Sequence, residues 1–299
     1  MRYDRDAMLR LLKQARDCDA TDVHLKVPAR PSMRVEGELV AVAGQKLAPC
    51  DTKAAVQALM ALAGVEFPLV RCQEHEFAFG LRGVGRFRVS LFRQRGSLGV
   101  VVHRMATEVP TLVGLGVPAE YGEIPKRPGL TLLCGTRRRE LLNGIVDILN
   151  TTEGSHVVVL EDSLEYLHAD RRAAISQREV GIDTASWCVG IRTAMRHDPD
   201  LIAVGDVPEP EVAACVLQAV ESGHRVIACV PTRNPEDAIG WLVRLFGNER
   251  ETEASARIAD ALEISMSLDD GFSCVEMTEQ VRECVRVGAP MPVLRTTAY

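Results

Sequence analysis

The chain has 299 residues, 46% hydrophobic and 25% charged, which excludes a disordered or fibrous polypeptide and leaves room for about two domains. A net charge of -6 offers no overall basic surface to a nucleic-acid backbone or an anionic membrane. Seven Phe, four Tyr and two Trp are too few for a base-stacking platform. No apolar run approaches the ~20 residues that span a bilayer, and the charged N-terminus MRYDRDAMLRLLKQARD lacks the apolar stretch of a signal peptide. A cytoplasmic protein without nucleic acid and without direct membrane insertion is expected. The nine cysteines form no C-x-x-C pair, which argues against a disulfide framework and a Cys-rich zinc site.

In chain order, Asp6–Cys18 reads as a helix with Met8, Leu9, Leu11 and Leu12 on one side. TDVHLKV alternates as a strand, and SMRVEGELVAV places Glu36-Gly37 between two short strands as a hairpin turn. A helix over 52–63 precedes two more strand regions, EFAFGLRGVGRFRVSLFRQ and LGVVVHRM. Residues 1–105 thus read as an α+β domain. Residues 106–128 carry Pro110, Pro118, Pro125 and Pro128 without a clean period and read as a linker. From 129 to 250, short apolar runs (GLTLLCG, HVVVLED, DLIAVGD, HRVIACV) alternate with helical patterns, the signature of a parallel sheet covered on both faces. The remainder, 251–299, reads as a C-terminal helical segment, with a helix over 255–267.

A strand ending at Gly135 and running straight into a helix is where many α/β proteins bind phosphate, because the helix N-terminus offers free N–H groups. Here the connection reads CGTRRRELLNG. Counted from Gly135, the last three places of a phosphate loop hold Glu140, Leu141 and Leu142. A glutamate repels phosphate, and leucines supply neither an ammonium nor a magnesium ligand. No lysine follows Lys126. Three roles stay open for Arg137, Arg138 and Arg139, beside Gly135 and Thr136: a solvated helix start, anion binding, or filling of the vacated phosphate space. His24, His168 and His224 have no metal-ligand spacing and read as structural, and no metal site is expected.

From about residue 20 to 265 the chain resembles the secretion and pilus motor ATPases, above all the PilT-like type IV pilus retraction ATPases. ATDVHL and SMRVEGEL look like the family's N-terminal signature, GRFRVSLFRQRG and VVVHRM like its strand pair with intersubunit arginines, VVVLEDSLEYLH like its Asp box, and IRTAMRHDPDLIAVGDV like its run into Walker B. The resemblance implies an α/β protein, with a PAS-like N-terminal α+β domain followed by a RecA-like parallel-sheet domain of P-loop type. It further implies hexamers with ATP at the interface. By position it assigns Arg86, Arg88 and Arg104 to subunit contacts, Asp162 and Glu165 to the Asp box, and Glu161 and Asp206 to the catalytic carboxylates. Departures fall where the chemistry should be. The Walker A place is Arg-rich, Walker B ends in Gly205-Asp206 in place of Gly-Glu, and Pro231 stands where the His box would lie. A proline there cannot hydrogen-bond a γ-phosphate through its side chain.

These departures lead to the expectation of a motor-ATPase homologue that has lost hydrolysis, with vestigial Glu161 and Asp206 and no cofactor. It would act in a homo-oligomer or a mixed ring with an active paralogous ATPase. Its partners would be inner-membrane platform proteins of a type IV pilus or type II secretion machine, at the inner face of the cytoplasmic membrane. Two alternatives stand beside it: a slow hexameric ATPase using ATP and Mg2+ with an arginine for the lysine, and an oligomeric scaffold without nucleotide.

Overall fold

The computed structural model describes residues 3–42, 44–69, 73–106, 108–126 and 128–290. Cys72 and the end of the expected C-terminal segment, 291–299, lie outside the described residues. The chain divides into two compact units, Met1–Thr107 and Glu108–Tyr299.

The first unit is one antiparallel sheet and two helices, α1 (Arg5–Asp17) and α2 (Pro49–Ala63). Its strands are β1 (Asp22–Leu25), β2 (Ser32–Val35), β3 (Glu38–Ala41), β4 (Glu74–Leu81), β5 (Gly85–Gln94) and β6 (Ser97–Arg104), in the order β3-β2-β1-β6-β5-β4. Strict alternation puts Val23, Leu25, Phe87, Val89, Leu91, Val100 and Val102 on one face, in a core with Met8, Leu12, Val56 and Leu59 of the helices. The opposite face therefore carries Arg86, Arg88 and Ser90 of β5. Glu36 (φ 49°) and Gly37 (φ 82°) both adopt left-handed backbone, the pair that a two-residue hairpin with right-handed strand twist demands.

The second unit is a seven-stranded sheet: β7 (Gly129–Cys134), β8 (His156–Glu161), β9 (Ala174–Glu179), β10 (Leu201–Val204), β11 (Arg225–Cys229), β12 (Leu262–Ser267) and β13 (Ser273–Glu276). Their order is β13-β12-β7-β11-β10-β8-β9, parallel except for β13. One face is covered by α3 (Arg138–Thr152), whose Leu141, Leu142, Ile145, Val146 and Leu149 pack on Val157, Val159, Ala203 and Ile227. The other is covered by α4 (Trp187–Met195), α5 (Pro210–Glu221), α6 (Pro235–Leu245), α7 (Glu251–Ala261) and α8 (Glu279–Val287). Burial on both faces explains why these strands read as continuous apolar runs.

Two expectations are corrected. From Glu108 onward the proline-rich stretch belongs to the second unit: Leu112, Leu115, Val117 and Tyr121 are buried against the α3 side of the sheet, and Ala119–Lys126 forms a 3-10 helix. Four prolines removed the local period but not the apolar residues that decide burial. The segment 251–299 is not helical throughout. The helix expected over 255–267 ends at Ala261, and Leu262–Ser267 is β12, an interior strand beside β7. Residues 251–261 carry the helical period, whereas Ile264 and Met266 alternate with Ser265 and Ser267 as a strand requires.

Candidate functional site

The parallel register brings four strand ends together. Leu160 of β8 pairs with Val204 of β10, Val204 with Ala228 of β11, and Cys229 with Leu133 of β7. Just beyond these ends lie Glu161-Asp162, Gly205-Asp206, Pro231-Thr232 and Gly135-Thr136-Arg137, at the carboxyl edge where open α/β sheets place ligands. Gly205 donates its N–H to the Leu160 carbonyl at 2.7 Å, and a Cβ on it would fall 2.9 Å from Glu161 Cγ. Gly205→Ala is expected to cost about 1–2 kcal/mol in urea unfolding, since the glutamate it would push is fully buried.

The arginine triplet is divided among three tasks. Arg137 pairs with Glu140 one turn on, at 2.7 Å and largely in solvent, where an ion pair contributes little. Arg138 Nη1 donates back to the Gly135 carbonyl at 3.1 Å, with its Nε buried and unpartnered among the described residues. Arg139 reaches across to β8, pairing with Asp162 and, at 3.1 Å, with Glu165. The loop donors are committed too. Gly135 N–H bonds the Thr232 carbonyl at 2.7 Å, and Thr136 N–H bonds Asp269 Oδ1 at 2.5 Å.

Behind Arg139 runs a buried polar chain. Asn143 Nδ2 donates to the Arg139 carbonyl at 3.0 Å and to Glu161 Oε1 at 3.1 Å. Its Oδ1 therefore accepts from His168 Nε2 at 2.9 Å. Glu161 Oε2 has no hydrogen-bond partner among the described residues. Burial pushes the Glu161 carboxyl up to about 7, against the Asn143 hydrogen bond and the Arg139 charge. Burial also raises the Asp206 carboxyl, which Arg138 opposes, and Asp206 Oδ1 accepts the N–H of Val207 at 3.1 Å. Burial lowers the His168 imidazole below its ordinary value. Pro231 is exposed at the end of β11.

The strand ends thus unite Glu161, Asp162, Glu165, Arg138, Arg139 and Asp206. Arg86, Arg88 and Arg104 belong to the first unit. There Arg104 donates to the Ala20 carbonyl at 2.8 Å and pairs with Asp19, so it is tied within that unit. Arg104→Ala is expected to cost about 1 kcal/mol of stability, measured by thermal unfolding. Sequence reasoning missed Asn143 and Asp269. Asn143 lies one helical turn beyond Arg139, a spacing that could have revealed it. Asp269 is 133 residues from Thr136 and left no local signal. Among the described residues no group of three or more His, Cys, Asp or Glu is placed to hold a metal ion, and no helix is long and apolar enough to cross a membrane.

Residues 131–270 match the family described as Type II/IV secretion system protein. The chain is 31% identical over 251 residues to the type IV pilus ATPase PilU of Pseudomonas aeruginosa, covering 81% of this chain and 64% of PilU. It is 29% identical to the type IV pilus retraction ATPase PilT of the same organism, covering 83% of this chain and 73% of PilT. The solved structure of the pilus retraction motor PilT with bound ADP superimposes with a TM-score of 0.83 at 28% identity, over 94% of this chain and 86% of that one. The fold is thus that of PilT, an N-terminal domain followed by a RecA-like domain, and the chain belongs to the type II/IV secretion system protein family as a PilT-like member.

Proposed function

We propose that this PilT-like protein does not hydrolyse ATP and serves as a non-catalytic partner or regulator of a type IV pilus or type II secretion machine. One observation carries the reading: the place for a bound phosphate is served by the chain's own groups. Arg138 folds over Gly135, Arg139 is consumed by Asp162 and Glu165, and the Gly135 and Thr136 N–H groups already have acceptors. The residues present do not fit nucleotide phosphates. A cradle needs several free donors and an uncommitted cation, and Glu140 on the first turn of α3 adds a repelling carboxylate. The loss of lysine, hydroxyl and cradle together removes binding as well as turnover, each such donor alone being worth about 10²–10³ in rate. In this reading the protein works in the cytoplasm, in a homo-oligomer or a ring mixed with an active paralogue, and docks on inner-membrane platform proteins.

The retained Glu161 and Asp206 at adjacent strand ends favour a second reading, a slow motor ATPase. Calorimetric titration with ATP and magnesium separates the two. The expected result is no heat of binding up to millimolar nucleotide. Micromolar binding with turnover that Glu161→Gln or Asp206→Asn abolishes would overturn the proposal in favour of the ATPase.

A further inference from the structure

The turn after β12 brings Asp269 against the loop after β7. Its Oδ1 accepts both the Thr136 N–H, at 2.5 Å, and the Thr136 hydroxyl, at 2.7 Å. Gly135 makes room for this approach. Its φ of 91° suits glycine, and a Cβ would fall 2.7 Å from Ser267 Oγ and 3.0 Å from Asp269 Oδ1. Ser267 is held in turn by donating to the Arg233 carbonyl at 2.7 Å. Partial burial works to raise the Asp269 carboxyl, yet the Thr136 hydrogen bonds and the nearby Arg233 and Arg138 charges outweigh it and hold it below its ordinary value.

We propose that Asp269 is an internal oxyanion ligand that latches the β7–α3 loop to the β12 turn, in the position where such a loop otherwise receives an external oxyanion. This rests on the reading that the loop takes no nucleotide, and it names the group that stands in. The chemistry is specific. A carboxylate oxygen that takes an N–H and a hydroxyl from one threonine, within the field of two guanidinium groups, makes the contacts of a bound oxyanion. Withdrawing it frees Thr136 N–H and Oγ–H beside Arg138, Arg233 and the first N–H groups of α3. That donor set suits a small tetrahedral oxyanion such as inorganic phosphate.

Hydrogen exchange at the Thr136 amide tests the latch without nucleotide. In Asp269→Ala it is expected to exchange about tenfold faster than in the wild-type protein, as loss of a charge-assisted hydrogen bond requires. Millimolar inorganic phosphate should restore protection in the variant and change nothing in the wild-type protein, whose site is filled. Equal exchange in the two proteins, or equal protection of both by phosphate, overturns the proposal. Should circular dichroism show Asp269→Ala to be unfolded, Asp269→Asn decides. Its neutral amide oxygen accepts more weakly, so faster exchange supports the latch and unchanged exchange overturns it. Nucleotide binding by the wild-type protein would refute the functional reading by itself, whereas an unprotected Thr136 would refute only the latch.

Discussion

Replacing Glu161 by glutamine is expected to abolish a fall of about 3 kcal/mol in folding stability that the wild-type protein shows between pH 4.5 and 7. The Glu161 carboxyl is fully buried, accepts one hydrogen bond from Asn143 and is pushed up to about 7 from an ordinary 4.5. Between those values the unfolded chain has lost the proton and the folded chain keeps it. Stability that is fully present below pH 4.5 therefore drains away as pH rises, and the slope ends near pH 7. Arg139 favours the ionised form, while Glu165 and Asp162 oppose it. Glutamine mimics the protonated acid and does not titrate. Urea unfolding of both proteins at pH 5, 6, 7 and 8 checks this, because other titrating groups, Asp206 and His168 among them, are common to both and cancel in the difference. Curves that run parallel across this range would show that burial does not hold the proton on Glu161.

Arg139→Ala is expected to lower stability by about 2 kcal/mol at pH 7, and Arg137→Ala by less than about 0.5 kcal/mol. The two arginines are neighbours in sequence and differ in what they hold. Arg137 makes one ion pair within its own helix turn, in solvent. Arg139 is mostly buried, with 20% of its side chain exposed, and ties α3 to the carboxylates of Asp162 and Glu165 beyond β8. Removing it leaves those two facing each other and withdraws the cation that tempers Glu161. Because Asn143 acts on Glu161 through a hydrogen bond and Arg139 acts on it through its charge, the two side chains share one partner, and Arg139→Ala should be less than additive with Asn143→Ala. Chemical denaturation of the single and double variants measures it. A stability within 0.5 kcal/mol of the wild-type value for Arg139→Ala would remove the argument that this guanidinium is spent on holding the site together.

The strand ends show how far local pattern carries. HVVVLED, DLIAVGD and HRVIACV read as buried parallel strands because four or five consecutive apolar residues with no polar face have no other soluble use. Glu161 and Asp206 follow directly, since each trails its apolar run by one or two residues. Arg138 and Arg139 were visible as charges at a helix start, but their partners were not. Arg139 meets residues of another strand, and Arg138 turns back on Gly135. Leu262–Ser267 was misread for the same reason in reverse. On its N-terminal side α7 runs straight into it, and pairing with β13 and with β7, far away in the chain, makes it a strand.

By itself the sequence determined the alternation of apolar runs and helical faces, and so the two kinds of sheet. It also determined the absence of a lysine and of a glycine-rich loop after β7. These depend on residue type and on periods of two and 3.6, which are local quantities. The tertiary structure alone decided that the proline-rich stretch from Glu108 joins the second unit, that β12 completes its sheet, and that Asp269 meets Thr136. Each of these is set by pairing or burial between residues distant in the chain: the alternation of Ile264 and Met266 with Ser265 and Ser267 marks a strand, but not the sheet it joins.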